Sequence, residues 1–507
     1  MTDLTYQIIA LLIYLAAMIL IGVYAYRKTT DLSDYMLGGR GLGPSVAALS
    51  AGASDMSGWL LLGLPGAIYL GGLVEVWIAI GLTIGAYLNW FFVAPRLRIY
   101  SFVTSDSITI PSFLENRLKD SSRLLRIVSG IIILIFFTFY VSSGMVASGI
   151  FFQSSFGMNY HVGLVIGSAV VVGYTLFGGF LAVSYTDFVQ GVMMFLALIA
   201  VPLVGIFATG GIGETAASIR EVDPAMLNLV TGASTIGIIS AAAWGLGYFG
   251  QPHIIVRFMA IKTLGEVRQA RKIGIGWMIL SLLGAVGTAL VGIAYFQQNP
   301  TAELVDAEAV FLAMSQILFH PFVAGIVLAA VLAAIMSTIS SQLLVSSSAL
   351  VEDLYKIAFK KEATSAQYVN LGRLAVALIA VIAGSLAWEQ DNTVLGLVAY
   401  AWAGFGAAFG PIILLSLFWR KLTAMGALSG MIAGAATVIL WDIIATSPDD
   451  GRANDFTNFM GSVYEIIPGF LLCLIVAAIV SKLTFKDNPE ITKEFDETVR
   501  LINEEKK

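Results

Sequence analysis

Apolar residues recur along the chain in long runs separated by short polar clusters. A hydrocarbon core of roughly 30 Å needs about 20 apolar residues per helix, so this spacing predicts membrane-crossing helices. Thirteen are expected, at 6–26, 44–71, 73–95, 124–152, 160–179, 187–209, 229–252, 273–296, 309–348, 367–388, 394–419, 423–445 and 462–481. The run at 309–348 exceeds one straight crossing and predicts a short half-helix before His320-Pro321, then a full helix. Composition leaves little else: 58% of the 507 residues are apolar, 12% are charged and the mean hydropathy is +0.86. A compact soluble body cannot hide that much apolar surface. The expected organisation is one transmembrane domain over 1–482 and a solvated, partly helical cytoplasmic tail over 483–507.

The charges give an independent reading of topology, because Lys and Arg gather in cytoplasmic loops. Of the 28 Lys and Arg, all but Arg220 and Arg452 fall in alternate loops or the tail. That parity places the N-terminus outside and the C-terminus inside. Arg27 and Lys28 follow the first apolar run instead of preceding it, so the run reads as a retained span, not a cleaved leader.

Helix breaks at membrane depth point to function, since unpaired backbone is tolerated there only around a protein or water cavity. The span at 44–71 contains Ser50-Ala51-Gly52-Ala53-Ser54-Asp55-Met56-Ser57-Gly58-Trp59, a small polar island with a carboxylate. The span at 229–252 contains Gly245-Leu246-Gly247-Tyr248-Phe249-Gly250-Gln251-Pro252. With the first span set aside, two sets of five remain, about 44–209 and 229–419, of opposite orientation because five is odd. Each set opens on an interrupted span, the pattern of an inverted-repeat transporter with its site at the midplane.

Several residues follow from these breaks. Asp55 costs about 2.5–3.5 kcal/mol at membrane depth unless paired or solvated, so it either caps the second half-helix or has a cation-linked role. Ala334, Ser337 and Thr338 share one helical face, where the hydroxyls either bond back to their own helix or join carbonyls freed at Ala53 and Met56 in holding a hard cation. Trp244, Tyr248 and Pro252 face one way and, with Tyr140, either pack as ordinary membrane aromatics or wall in a small apolar ring. Arg40 and Asp187 read equally as loop charges or as parts of a gate.

Other chemistry finds no support. Gly245-x-Gly247-x-x-Gly250 has the dinucleotide-binding spelling but lies inside an apolar span without a βαβ unit. Cys473 stands alone, and His161, His253 and His320 lack ligand spacing, so enzyme, organic-cofactor and nucleic-acid readings are set aside.

The strings Leu37-Gly38-Gly39-Arg40-x-Leu42-Gly43-Pro44, the island within Ala48 to Gly63, Gly178 to Asp187, Trp244 to His253, Leu332 to Leu344 and Tyr400 to Pro411 resemble the sodium:solute symporter family over almost the whole chain. The resemblance implies a leucine-transporter-like all-α fold and a carrier in the bacterial cytoplasmic membrane. It implies sodium on Ala53, Met56, Ala334, Ser337 and Thr338, with Asp55, Arg40 and Asp187 linked to the cation path. It also implies L-proline, for nutrition or osmoprotection, held near Ser57, Gly58, Trp59, Tyr140, Trp244, Tyr248 and Pro252, and a gating role for Glu308. No obligate protein partner is implied. A proton-coupled or other small-solute carrier, or a transporter-like sensor, stays open as an alternative.

Overall fold

The computed structural model describes residues 2–26, 37–355, 365–389, 393–445 and 455–504. Arg27, Lys28, Lys356, Lys360, Lys361, Arg452, Lys506 and Lys507, used in the charge count, lie outside the described residues. Within them the chain is helical, apart from loops and one isolated bridge, Leu42 to Ile261.

The first helix, α1 (Asp3–Tyr26), stands ahead of a short 3-10 turn and α2 (Pro44–Asp55), which begins on a proline whose missing N–H costs nothing there. A break follows, then a π-helical turn (Trp59–Gly63) leading into α3 (Leu64–Gly71). Next come α4 (Val76–Leu88), a π-helical turn (Asn89–Val93), α5 (Ala94–Val103) and α6 (Ile110–Leu118). The long helices α7 (Leu124–Phe156) and α8 (Tyr160–Ala208) complete the first half. The spans expected at 160–179 and 187–209 form one helical run, bent at Gly179 (φ 63°, ψ −178°), a backbone shape that only glycine adopts freely.

In the second half α9 (Ile212–Val222) and α10 (Thr235–Ala242) lead into a 3-10 segment (Ala243–Gly250) and α11 (Pro252–Ala260). The span expected to finish at Pro252 instead restarts there, because proline at the first position opens a helix as readily as it closes one. Then follow α12 (Leu264–Gln298), α13 (Val310–Leu318), α14 (Pro321–Ser348), α15 (Ser365–Leu386) and α16 (Val394–Phe418). The separation of α13 from α14 at His320-Pro321 is the half-helix arrangement expected from the length of that run. The chain ends with α17 (Ala424–Ala445), α18 (Asp455–Ser462), α19 (Ile466–Thr484) and α20 (Pro489–Glu504).

Nine helical stretches among the described residues are long and apolar enough to cross a membrane, and four more apolar helices are shorter. Breaks and kinks account for much of the difference from a plain count of apolar runs. Helix α14 is the buried centre, packed on α1, α2, α7 and α8. The 3-10 segment lies between α4 and α16. Against α4 the two backbones touch directly: a Cβ at Gly81 or Gly85 would fall onto the main chain of Ala242 or Gly245. Helix α20, in the tail read as solvated, packs on α5, with Phe495 against Tyr100 at 6.1 Å.

Candidate functional site

The break after α2 is built by its own hydrogen bonds. The Ser57 N–H turns back to Asp55 O at 3.0 Å, so Ala53 O is released from its usual partner four residues on. Helix α14 fills that gap: Ser337 Oγ donates to Ala53 O at 2.7 Å, and Thr338 Oγ1 lies 3.3 Å from the same atom. Ser337 Oγ is also 3.0 Å from Ala334 O. Four oxygens thus converge around two hydroxyl protons, with no cationic side chain among the described residues bonded to any of them. Ala53, Ala334, Ser337 and Thr338 are brought together; Met56, fully buried, sits at the break itself.

Asp55 is buried and does not cap the following helix. Its Oδ2 accepts a short hydrogen bond from the Tyr248 hydroxyl, while Ser57 Oγ accepts from the Trp59 N–H at 3.3 Å, just ahead of the Gly58 that opens the next turn. Asp55 Oδ1 has no hydrogen-bond partner among the described residues. The Asp55 carbonyl gathers the Trp59 indole N–H at 3.0 Å and the Tyr140 hydroxyl at 3.4 Å.

Through these bonds the aromatic residues converge from three elements. Trp59 lies 6.5 Å from Trp244, and Tyr140 meets His253 edge-on at 5.7 Å. Gly58 leaves room: a Cβ there would stand 2.8 Å from that of Ala147. Pro252, at the start of α11, lines a separate narrow crevice with Ile108, Phe180, Leu344 and Asp353. Arg40 is not in this set. Its hydrogen bonds go to Asp106 (2.7 Å), Ser101 (3.1 Å), Met259 O (2.8 Å) and Ser107 O (2.8 Å), tying its own turn to α5, to the loop after α5 and to the end of α11. Burial lowers its guanidinium from the ordinary value, and Asp106 opposes that shift.

Asp187 is neither a loop charge nor bonded to the Ala53 cluster. It is fully buried in α8, where its Oδ2 accepts from Ser50 Oγ at 2.7 Å and from Arg257 at 3.3 Å. Arg257, counted above among cytoplasmic loop charges, is wholly buried in α11 and also donates to Ser341 at 2.7 Å and Ser50 at 3.1 Å. The early end assigned to its helix concealed it. Glu308 spans two elements at the opposite end, accepting the Val394 N–H at 3.0 Å and the Leu395 N–H at 3.2 Å, the first amides of α16.

Two aromatic neighbours were not among the candidates, although Trp402 lies within the string Tyr400 to Pro411. The Trp402 indole in α16 donates to Trp244 O at 2.7 Å, and its ring meets Tyr248 edge-on at 5.0 Å. Tyr464, between α18 and α19, stacks on Trp244 at 5.3 Å and donates to Ala399 O at 2.7 Å.

Residues 35–434 match the sodium:solute symporter family. The chain is 59% identical over 480 residues to the high-affinity proline transporter PutP of Bacillus subtilis (strain 168), covering 95% of this chain and 98% of that protein. It is 55% identical to the osmoregulated proline transporter OpuE of the same organism, over 94% of each. The sodium/proline symporter 2 of Staphylococcus saprophyticus is 50% identical over 500 residues, 98% of this chain and 96% of that one. Among solved structures, a Na+-coupled sialic acid symporter in a substrate-bound outward-open state aligns with a TM-score of 0.78 at 19% identity, over 94% of this chain and 98% of that chain. MHP1, a nucleobase-cation-symport-1 family transporter, aligns with a TM-score of 0.55 at 15% identity, over 92% and 99%. At those identities the likeness is one of fold.

Proposed function

Because the chain belongs to the sodium:solute symporter family, and is thus a multi-pass membrane transporter and not an enzyme, we propose that it imports L-proline with sodium by alternating access. The proposed topology has thirteen crossings, N-terminus outside and C-terminus inside, with inverted repeats near 44–209 and 229–419 and a cytoplasmic tail from 483.

The observation that carries this reading is the convergence of Ala53 O, Ala334 O, Ser337 Oγ and Thr338 Oγ1 across a helix break. Neutral oxygens in a buried setting suit a hard monovalent cation, and the Met56 carbonyl at the same break is the proposed fifth ligand. Asp55, two residues beyond Ala53 and next to Met56, supplies the negative field. Sodium entering first would tie α2 to α14 and so fix the chamber beside them, where Ser57, Gly58, Trp59, Tyr140, Trp244 and Tyr248 receive the amino acid, with Pro252 acting from outside it by ending the segment that carries Trp244 and Tyr248. Its carboxylate would meet the amides opening the Trp59 helix, where the dipole favours anions. Its ring would lie against the indoles. In this reading the ion and solute sites are coupled through one shared backbone segment.

The energetics suffice without ATP. One sodium falling through about 100 mV and a tenfold gradient releases roughly 3.7 kcal/mol, enough for about 500-fold accumulation of a neutral zwitterion. The test is radiolabelled proline uptake into proteoliposomes with and without an inward sodium gradient at fixed pH. Uptake only with the gradient supports the reading. A second reading, proton coupling through Asp55, draws on the unpartnered Oδ1; uptake driven by a pH gradient and indifferent to sodium would select it.

A further inference from the structure

At the basic end, where α4 runs through its π-helical turn into α5, Tyr87, Phe91 and Phe92 are each more than 40% exposed, and Phe418 at the end of α16 is 40% exposed. Aromatic side chains at this level form the belt that marks a membrane interface. Beside them is a concavity of about 760 Å³ lined by Phe91, Phe92, Arg96, Arg268, Arg271 and Phe418, with Val499, Ile502 and Asn503 of α20 at its edge. The Arg271 guanidinium lies 4.9 Å from the Phe91 ring and that of Arg96 4.2 Å from Phe418.

The cations here differ from their neighbours. Lys119 holds Glu490 and Glu494 at 2.7 and 2.6 Å, Arg126 holds Asp353 and Glu115 at 2.7 and 3.1 Å, and Arg420 reaches Asp496 at 3.4 Å. Arg268 and Arg271 have no carboxylate partner among the described residues. Glu266, one turn away, is engaged with the Thr263 N–H at 3.2 Å. Helix α20 turns acidic residues to Lys119 and Arg420 but presents Val499 and Ile502 to this concavity.

We propose that this concavity binds one anionic glycerophospholipid, its phosphate held by Arg268 and Arg271 and its acyl chains laid against Phe91, Phe92 and Phe418. Arginine forks match phosphate oxygens in pairs, and basic pockets between transmembrane helices suit anionic headgroups. The lipid would join α5, α12, α16 and α20 at the level where they leave the bilayer. The inference rests on the chain's place in a membrane and not on the substrate it carries.

The experiment measures retention of phosphatidylglycerol by the purified full-length protein in mixed detergent micelles, by native mass spectrometry, with phosphatidylcholine as the neutral competitor. The expected result is preferential retention of phosphatidylglycerol, reduced roughly thirtyfold in the Arg268→Gln/Arg271→Gln double variant, the loss anticipated from two interfacial cations. It should be unchanged in Arg500→Gln, an exposed α20 arginine paired with Glu497 and Glu504. Equal retention by wild type and double variant, or an equal loss in Arg500→Gln, overturns the proposal. Displacement of the lipid by millimolar inorganic phosphate would overturn it in favour of a free-anion site. If the double variant does not survive purification, a photoreactive phosphatidylglycerol on the wild-type protein decides. Adducts confined to 87–96, 264–271 and 418 support the site, and adducts elsewhere overturn it.

Discussion

On α14 one helical turn separates Ser337 and Thr338 from Ser341, and on α2 Ala53 lies about one turn beyond Ser50. The two levels bring the same helices together with different charges. At the Ser50–Ser341 level the protein supplies its own cation: Arg257 bonds both hydroxyls and Asp187. At the Ala53–Ser337 level carbonyls and hydroxyls face one another, and among the described residues the side chain of the nearby Asp55 bonds the Tyr248 phenol alone. A level that carries its own counter-charge can stay assembled throughout a transport cycle. One that lacks it holds together best when an ion arrives, and this contrast is why the second level is the one we propose for sodium.

Five substitutions sharpen or break that contrast. Removing Arg257 leaves a buried carboxylate uncompensated, which costs about 3–5 kcal/mol; Arg257→Ala should lose most folded protein, read as melting temperature in detergent, and a wild-type melting curve would refute the permanent-pair assignment. Asp55→Cys should abolish uptake at ordinary sodium, a loss of roughly 100-fold or more if the field of a membrane-depth carboxylate is withdrawn. Normal uptake by that variant removes Asp55 from the cation path. Ser337→Ala or Thr338→Ala should each raise half-saturating sodium about tenfold, one lost ligand at roughly 1.4 kcal/mol, with little change in proline affinity at saturating sodium. A change in proline affinity alone would transfer those hydroxyls to the solute site. Smallest, Tyr464→Phe keeps the stack on Trp244 but loses the bond to Ala399 O; about 1 kcal/mol predicts a fivefold rise in the KM for proline, with sodium dependence untouched.

Much of this arrangement was legible in the sequence because helix breakers leave a local mark. Gly52, Ser57 and Gly58 announce the first interruption, Gly245, Gly247 and Gly250 the second, and the spacing of Ala334, Ser337 and Thr338 places them on one face without reference to tertiary structure. Arg257 was misread because a linear charge count takes a helix to end at its proline, whereas Pro252 begins one. Asp187 was obscure for a related reason: its neutraliser is 70 residues away and only packing brings the two within 3.3 Å. Tyr464 lies beyond the proposed repeats, in a segment whose hydropathy says only that another crossing is near. Nothing local distinguishes a tyrosine at an interface from one leaning on a buried indole such as that of Trp244.

The glycine seam between α4 and the 3-10 segment has a mechanical consequence. Interlocked side chains make two helices move as a ratchet, by whole turns, because each knob must climb out of its hole. At Gly81, Gly85 and Gly245 there are no knobs, and main chain lies on main chain. Such a contact acts as a plain bearing: the segment carrying Trp244 and Tyr248 can slip or pivot by fractions of a turn while staying in touch with its support. An alanine at position 85 would set its Cβ against the Gly245 main chain, wedging the two backbones apart and displacing the segment that carries Trp244 and Tyr248.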